Sequence, residues 1–391
     1  MKIVLVGGGS AGHITPLLAV AHELKRRRPS VHLIYIGEKG SKFEHVVQKD
    51  GVFDDSYLVS AGKLRRYPGS KLKKAMDVPT NARNLRDGVR LARGTVEARK
   101  ILKHLKPDGI FFAGGFVGVP VGTAGHRLKI PLVTHDLDAA PGLANRIIGR
   151  WAAVHATGMP AEFYHYTTGR TVFVGVPIGR EYEPLTPASR TRFRNELNLD
   201  HFTDIITITG GSQGAVRLNK SIETVLPELL ADNPRLGVLL VAGAANEAAT
   251  SQAYDRLLSP ERRAQVIVKG FVDDLWRYTG AAEVVITRAG ASTVAQLAAQ
   301  RQACIIVPSG ELANDHQTKN AAHIKEQGAA IVLTEKELDA GPQRLAAAIT
   351  DLLHDGGQRA TLGRNLARLN KPDAAGTLAE LLLNTFKEGG R

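Results

Sequence analysis

The stretch VLVGGGSAGHITP (4–16) constrains this chain more than any other. The apolar run from Lys2 to Val6 reads as a strand buried on both faces, and Gly7, Gly8, Gly9 and Gly12 follow as a small-residue turn. Pro16 suits the first turn of a helix, where its missing N–H costs nothing. Leu17, Leu18, Val20, Ala21 and Leu24 recur on one face of that helix. A strand, a glycine turn and a helix N-terminus together make an anion site, because the backbone can come close and its N–H groups point at the ligand. One titratable side chain, His13, stands in the turn. It reads either as an acid–base group or as a local cap. Gly7, Gly9 and Gly12 also fit the dinucleotide fingerprint G-x-G-x-x-G, with Glu38 at the end of the next predicted strand as the ribose-binding acid.

The same pattern recurs along the chain. Strands are predicted at 31–36, 52–59, 109–113, 131–135 and 172–177, with a basic helix from about Thr80 to Leu105 and another over 141–151. Strands alternating with helices imply a parallel sheet covered on both faces. At 391 residues the chain exceeds one ordinary core, so two domains are expected. GVPIGREYEPLTP (175–187), with its prolines and glycines, is the predicted boundary. Strands at 205–209, 237–242, 266–270, 284–287, 304–308 and 330–333 build the second half, and 343–388 reads as helical. Ligands of such sheets bind outside the carboxyl ends of the strands.

Three loops of the second half carry chemistry. GGSQGA (210–215) repeats the logic of the opening turn, with Ser212 and Gln213 adding polar contacts. TRAGASTVAQLA (287–298) opens a helix at Gly290, Ala291 and Ser292, with Gln296 one turn in, able to bond a sugar hydroxyl. NDHQTKNA (314–321) opens another, where a capping role explains Asp315. The single cysteine, Cys304, lies in an apolar run. That excludes a disulfide framework and suggests a buried residue in a reducing compartment. No secretory signal or membrane span is expected. No D-x-D dyad occurs in the second half's nucleotide loops and no His/Cys cluster has metal-ligand spacing, so neither a cofactor nor a metal is expected.

VGGGSAGHITP, GKLRRY (62–67), GGFVGVP (114–120), GGSQGA, RAGASTVAQLA and DHQTKNA, in this order, resemble the MurG family of UDP-N-acetylglucosamine transferases from residue 2 to about Leu333. The resemblance implies an α/β fold of GT-B architecture: two Rossmann-like parallel-sheet domains facing across a cleft. The expected division is 1–178 for the acceptor and membrane side, 179–365 for the UDP-sugar, and 366–391 for a helix packing back on the first domain. It implies inverting transfer of N-acetylglucosamine from UDP-GlcNAc to the muramyl 4-hydroxyl of a lipid-linked muramyl-pentapeptide, at the cytoplasmic face of the bacterial membrane. His13 then matches the general base, and Thr15 a neighbour of the donor sugar. Ser212 and Gln213 fall in the nucleotide loop, Phe271 and Val272 in the uracil-reading segment. Gly290, Ala291 and Ser292 match the diphosphate turn, and Gln317 a sugar contact. Gly9, Ser10, Gly12, Gly114 and Gly115 match the acceptor side.

Three positions depart from the family pattern. Gln296 replaces a ribose-gripping glutamate. HDLD (135–138) replaces H-E-Q-N, so Asp138 stands for an asparagine that orients the donor. GVPIGR replaces G-N-P-V-R, which moves the arginine to Arg180. These departures leave open another lipid acceptor for the same chemistry, or a binding-only paralogue. The fingerprint with Glu38 leaves open a nicotinamide-dependent oxidoreductase.

The formal charge is +13, and from Gly62 to Lys106 fourteen Lys or Arg face three acids. Only Tyr67 interleaves aromatic character with that charge, so no nucleic-acid partner is expected. An anionic membrane surface is the expected partner of this run, and a solvated helix face is the plain alternative.

Overall fold

The structure is a computed structural model that describes residues 1–9, 11–41, 44–62, 78–211, 215–310 and 315–388. Ser10, Ser212, Gln213 and the lysines of the 63–77 run lie outside the described residues. The chain forms two compact units, 1–179 with 373–391, and 180–372. The change of unit thus falls between Gly179 and Arg180, one residue beyond the expected position. The return falls at 372/373 rather than 365/366, because 366 lies inside an unbroken helix, Gly356–Leu369.

Unit 1 holds a seven-stranded sheet. Its strands are β1 (Lys2–Val6), β2 (His32–Glu38), β3 (Asp55–Val59), β4 (Gly109–Phe112), β5 (Leu132–Asp136), β6 (Val154–Thr157) and β7 (Arg170–Phe173). They run parallel in the order β3-β2-β1-β4-β5-β6-β7. The apolar runs of β1 and β4 are fully buried because both faces of the sheet are covered. On one face, Leu17, Val20 and Leu24 of helix Ala11–Arg27 pack with Leu378, Leu382 and Phe386 of the closing helix Ala374–Glu388. Phe386 lies so close to β4 that a Cβ on Gly109 would come within 2.2 Å of its ring.

Unit 2 holds six strands. These are β8 (Asp204–Thr209), β9 (Leu236–Val241), β10 (Val266–Lys269), β11 (Val284–Thr287), β12 (Ala303–Ile306) and β13 (Ile331–Val332). All are parallel, in the order β10-β9-β8-β11-β12-β13. Cys304 is fully buried in β12, as its apolar run implied.

Four local expectations need correction. β7 ends at Phe173, and VGVP (174–177) is not strand: Gly175 takes φ +88° and Pro177 has no N–H to give a ladder. β6 is a buried central strand that the sequence hid, because VHAT carries two polar residues in four. The helix expected over 141–151 is Leu143–Ile148, followed by a 3-10 turn at Gly149–Trp151. The first helix begins at Ala11, so Pro16 lies inside it rather than in its first turn. That shift puts His13 in the helix's first turn instead of in the glycine loop before it.

Candidate active-site loops

In each sheet the chain leaves two adjacent strands in opposite directions. In unit 1 these are β1 and β4, in unit 2 β8 and β11. Such a switch point opens a crevice outside the carboxyl ends of the strands, because the two loops part there. His13 follows β1, and Gly114 and Gly115 follow β4, so the predicted acid–base residue and both glycines meet at the switch point of unit 1. The predicted loops 210–215 and 288–292 follow β8 and β11 at the switch point of unit 2.

The His13 ring is set by the backbone. Its Nδ1 lies 3.1 Å from the Ala113 carbonyl oxygen, which can only accept. Nδ1–H therefore donates, and the lone pair resides on Nε2. Gly114 makes this possible: its φ is +99°, and a Cβ there would stand 2.6 Å from His13 Nδ1. Gly115, at φ +87°, lies against the Gly8 carbonyl in the same way. Gly12 and Thr15 lie half-buried in the same first two turns of the helix, and Gly9 is exposed before it.

Behind His13 lies a polar cluster at the end of β5. His135 is buried and its Nε2–H donates to the Gly175 carbonyl at 2.8 Å. Burial pulls its pKa down to about 4, and the neighbouring His13 pushes the same way. Asn145 donates through Nδ2 to the His135 carbonyl at 2.8 Å and to Asp136 Oδ1 at 3.0 Å. The Gly142 N–H donates to the same carboxyl, and Tyr166 donates to Asp136 Oδ2. Burial still lifts Asp136 to about 6, against those three bonds. The Tyr166 ring stacks on His155 at 3.7 Å, and His155 is fixed by Thr134 and the Thr168 carbonyl. Asp138 lies half-buried, and its carbonyl accepts from the Tyr164 hydroxyl at 2.7 Å. His135 Nδ1 and Asn145 Oδ1, both acceptors, are buried with no hydrogen-bond partner among the described residues.

In unit 2, helix Ala291–Gln300 starts at the end of β11 with Gly290 as its N-cap. No side chain caps it and no acid lies in its first turn. Helix Val216–Asp232, which follows the 210–215 loop, has the same two features. Uncapped N–H groups at a helix start, with the positive end of its dipole, attract an anion. Gly290, Ala291 and Ser292 are half-buried there, and Gln296, one turn further, is buried.

The turn before this helix is braced from three sides. Arg288 Nη1 donates to the Val307 carbonyl at 3.1 Å, and Nη2 pairs with Glu335 at 2.7 Å. Asn320 Nδ2 donates to the Ala289 carbonyl at 3.0 Å. Gln317 accepts from the Ser309 N–H through Oε1 at 3.0 Å, which orients its amide and leaves Nε2–H as a donor. Asp315 takes φ 52° and makes no side-chain cap bond, so the capping role expected of it is not what this residue does. Beyond β10, Phe271 is 45% exposed, unusual for so large an apolar group, and Val272 beside it is half-buried. Arg180 is exposed at the start of unit 2.

The sequence reading missed Tyr166 and Glu335 and gave Arg288 no role. Arg288 had a signal, a lone cation between a buried strand and a glycine turn. Tyr166 had none, since its partner Asp136 lies thirty positions earlier.

Residues 3–157 match the glycosyltransferase family 28 N-terminal domain, and residues 205–378 the glycosyltransferase family 28 C-terminal domain. A protein of Acetivibrio thermocellus is 30% identical, with 99% of each chain covered. Its name is UDP-N-acetylglucosamine--N-acetylmuramyl-(pentapeptide) pyrophosphoryl-undecaprenol N-acetylglucosamine transferase. A Bacillus pumilus protein of the same name is 30% identical over 98% of both chains. The crystal structure of Acinetobacter baumannii MurG, 22% identical, has a TM-score of 0.66 and covers 98% of this chain and 99% of that one. Two Rossmann-like parallel-sheet domains of GT-B type are thus the shared fold, and this chain belongs to the MurG family of N-acetylglucosamine transferases.

Proposed function

We propose that this chain transfers N-acetylglucosamine from UDP-GlcNAc to the muramyl 4-hydroxyl of the lipid-linked muramyl-pentapeptide, completing the disaccharide precursor of peptidoglycan. The observation that carries this reading is the His13 ring, held through Nδ1 against the Ala113 carbonyl at the switch point of unit 1. Identity of 30% over nearly the full length to transferases of that name supports the same reading.

In this mechanism the acceptor hydroxyl attacks the anomeric carbon from the face opposite UDP, so the configuration inverts. The C–O bond to the diphosphate breaks as the new glycosidic bond forms. The hydroxyl proton passes to His13 Nε2, and the electron pair of the broken bond leaves on the β-phosphate. A neutral imidazole suits this transfer near pH 7. Gly290, Ala291 and Ser292 hold the diphosphate, where backbone N–H groups and the helix dipole oppose its growing charge. Phe271 and Val272 take uracil, Gln296 the ribose, and Gln317 the sugar hydroxyls, with Thr15, Asp138 and Arg180 completing the donor contacts. Ser212 and Gln213 belong to the nucleotide loop, and Gly9, Ser10, Gly12, Gly114 and Gly115 face the acceptor. The acceptor is bound to a membrane, so the chain works as a peripheral protein on the cytoplasmic leaflet.

The test is transfer to a short-chain analogue of the lipid acceptor, with UDP-GlcNAc, UDP-glucose and UDP-N-acetylgalactosamine in competition. UDP-GlcNAc should dominate the product. Thermal melting with UDP and with NAD runs beside it. A ligand binding only the native state at a hundredfold excess over Kd adds about 2.7 kcal/mol. Stabilisation by NAD and not by UDP would overturn the transferase reading.

A further inference from the structure

Helix Ala291–Gln300 has two ends. Its N-terminus opens at the nucleotide loop. Its C-terminus closes at Arg301, which takes φ 55° and donates its N–H to the Ala298 carbonyl, while the Gln302 N–H donates to the Leu297 carbonyl. Ten residues at about 1.5 Å each separate these ends by roughly 15 Å. At the far end lies an open surface depression of about 340 Å³ bordered by Arg301, Arg364, Ala367 and Arg368, the three arginines all exposed.

The packing that forms it is specific. Helix Gly356–Leu369 crosses the end of helix Ala291–Gln300 at Gly363, where a Cβ would stand 2.1 Å from the Arg301 carbonyl oxygen. Only the missing side chain lets the two backbones meet. That contact brings Arg364, the next residue, and Arg368, one turn further, beside Arg301. Ala367 is small and leaves the space between them open. No carboxylate pairs with any of the three among the described residues: Arg364 bonds only Thr361 Oγ1, and helix Gly356–Leu369 carries no acid. Arg359 of the same helix is turned away, to the Leu352 and Leu353 carbonyls.

Like charges gathered without a counter-ion repel, and an anion that bridges them removes the repulsion. Guanidinium groups present planar paired donors that match phosphate oxygens two at a time. We propose that Arg301, Arg364 and Arg368 form a second anion site, specific for a phosphate group and separate from the nucleotide loops. The phosphate is either free, as in a diphosphate, or the headgroup of an anionic lipid.

The test uses the full chain with its nucleotide loops saturated by UDP. Inorganic pyrophosphate is titrated by calorimetry against wild type and Arg364→Gln/Arg368→Gln. Both positions are exposed on a helix, so the variant should keep its melting temperature and its UDP affinity. The expected result is pyrophosphate binding in wild type that weakens at least tenfold in the variant. Sedimentation with phosphatidylglycerol and phosphatidylcholine vesicles then separates the sources. Measured in a Leu85→Glu/Val89→Glu background, so that helix Val78–Leu105 does not mask the effect, arginine changes that abolish the remaining phosphatidylglycerol binding identify a lipid headgroup, and ones that leave it identify a free phosphate. The proposal is overturned if UDP-saturated wild type binds no pyrophosphate and both proteins bind vesicles alike. It is equally overturned if the variant binds pyrophosphate as tightly as wild type.

Discussion

His13 Nδ1 meets the Ala113 carbonyl at 3.1 Å across the switch point of the first sheet. One hydrogen bond from the strand β4 side thereby chooses the tautomer of a residue carried on the helix after β1. The pairing joins the two loops that part at the crevice.

Removing the imidazole should therefore cost turnover and little else. His13→Ala should lower kcat by about 10² to 10⁴, the usual worth of acid–base help, with the affinity for UDP unchanged. Gly114→Ala tests the placement rather than the group. It forces a side chain to φ +99° and a Cβ to within 2.6 Å of His13 Nδ1. Displacing a catalytic group by about 1 Å can cost on the order of 10²-fold. Steady-state kinetics of both variants, with UDP binding by calorimetry, checks the pair. Unchanged turnover in His13→Ala would assign the proton to another group.

Asp136 should make stability depend on pH in an unusual direction. Its folded pKa is raised by burial from 3.8 to about 6, so the native state binds a proton that the unfolded chain has released. The stability it contributes is complete below about pH 4 and is lost as pH rises through 6. Two pKa units correspond to roughly 3 kcal/mol. Asp136→Asn cannot titrate, so the stability difference between the variant and wild type should shift in the variant's favour from pH 4 to pH 7. Denaturant unfolding across that range measures it. A constant difference would mean that the Tyr166, Asn145 and Gly142 bonds hold the carboxylate ionised throughout.

The fold was legible wherever a strand was both buried and punctuated. β1, β8 and β11 end in glycine loops, and their apolar runs matched the observed spans to within a residue. β6 was illegible because its His155 and Thr157 look like loop residues until their partners Thr134, Thr168 and Met159 are in place. The same reason hid the cluster around Asp136. Glycine loops and helix starts are local signals that survive in one dimension. A hydrogen-bond network assembled from β5, helix Leu143–Ile148 and the segment around Tyr166 is not. The start of the first helix was misread because Pro16 is tolerated inside it, and only the backbone shows His13 in a helical turn.

Gln296→Glu should tighten UDP binding two- to tenfold. A carboxylate accepts from both ribose hydroxyls, and charge-assisted bonds are about twice as strong as neutral ones. The side chain is buried, so without ligand the new charge is desolvated, and the free protein should melt at a lower temperature. Calorimetry and melting curves together read both signs. Weaker binding in the variant would mean that the ribose pocket is built around the neutral amide.

Helix Val78–Leu105 should carry the membrane contact of unit 1. No helix among the described residues is long and apolar enough to cross a bilayer. Leu85, Val89 and Val96 are 73%, 64% and 56% exposed, a cost in water unless something covers them. Their spacing of four and seven puts all three within about 40° of one another around the helix. Arg99, Lys100 and Lys103 lie on or beside that same face, exposed and without a carboxylate partner among the described residues. Apolar groups in the middle and cations at the margin are what an anionic leaflet selects, each Lys or Arg adding about 1 kcal/mol near the surface. Binding to phosphatidylglycerol vesicles should therefore exceed binding to phosphatidylcholine and should weaken with salt, since the Debye length is about 8 Å at physiological ionic strength. Leu85→Glu/Val89→Glu removes apolar contact and adds repulsion, and should cut the vesicle-bound fraction at least tenfold while sparing UDP binding. Both positions are exposed, so the fold should hold. Vesicle sedimentation of the variant beside wild type decides it, and equal binding of the two would leave this face as solvated surface.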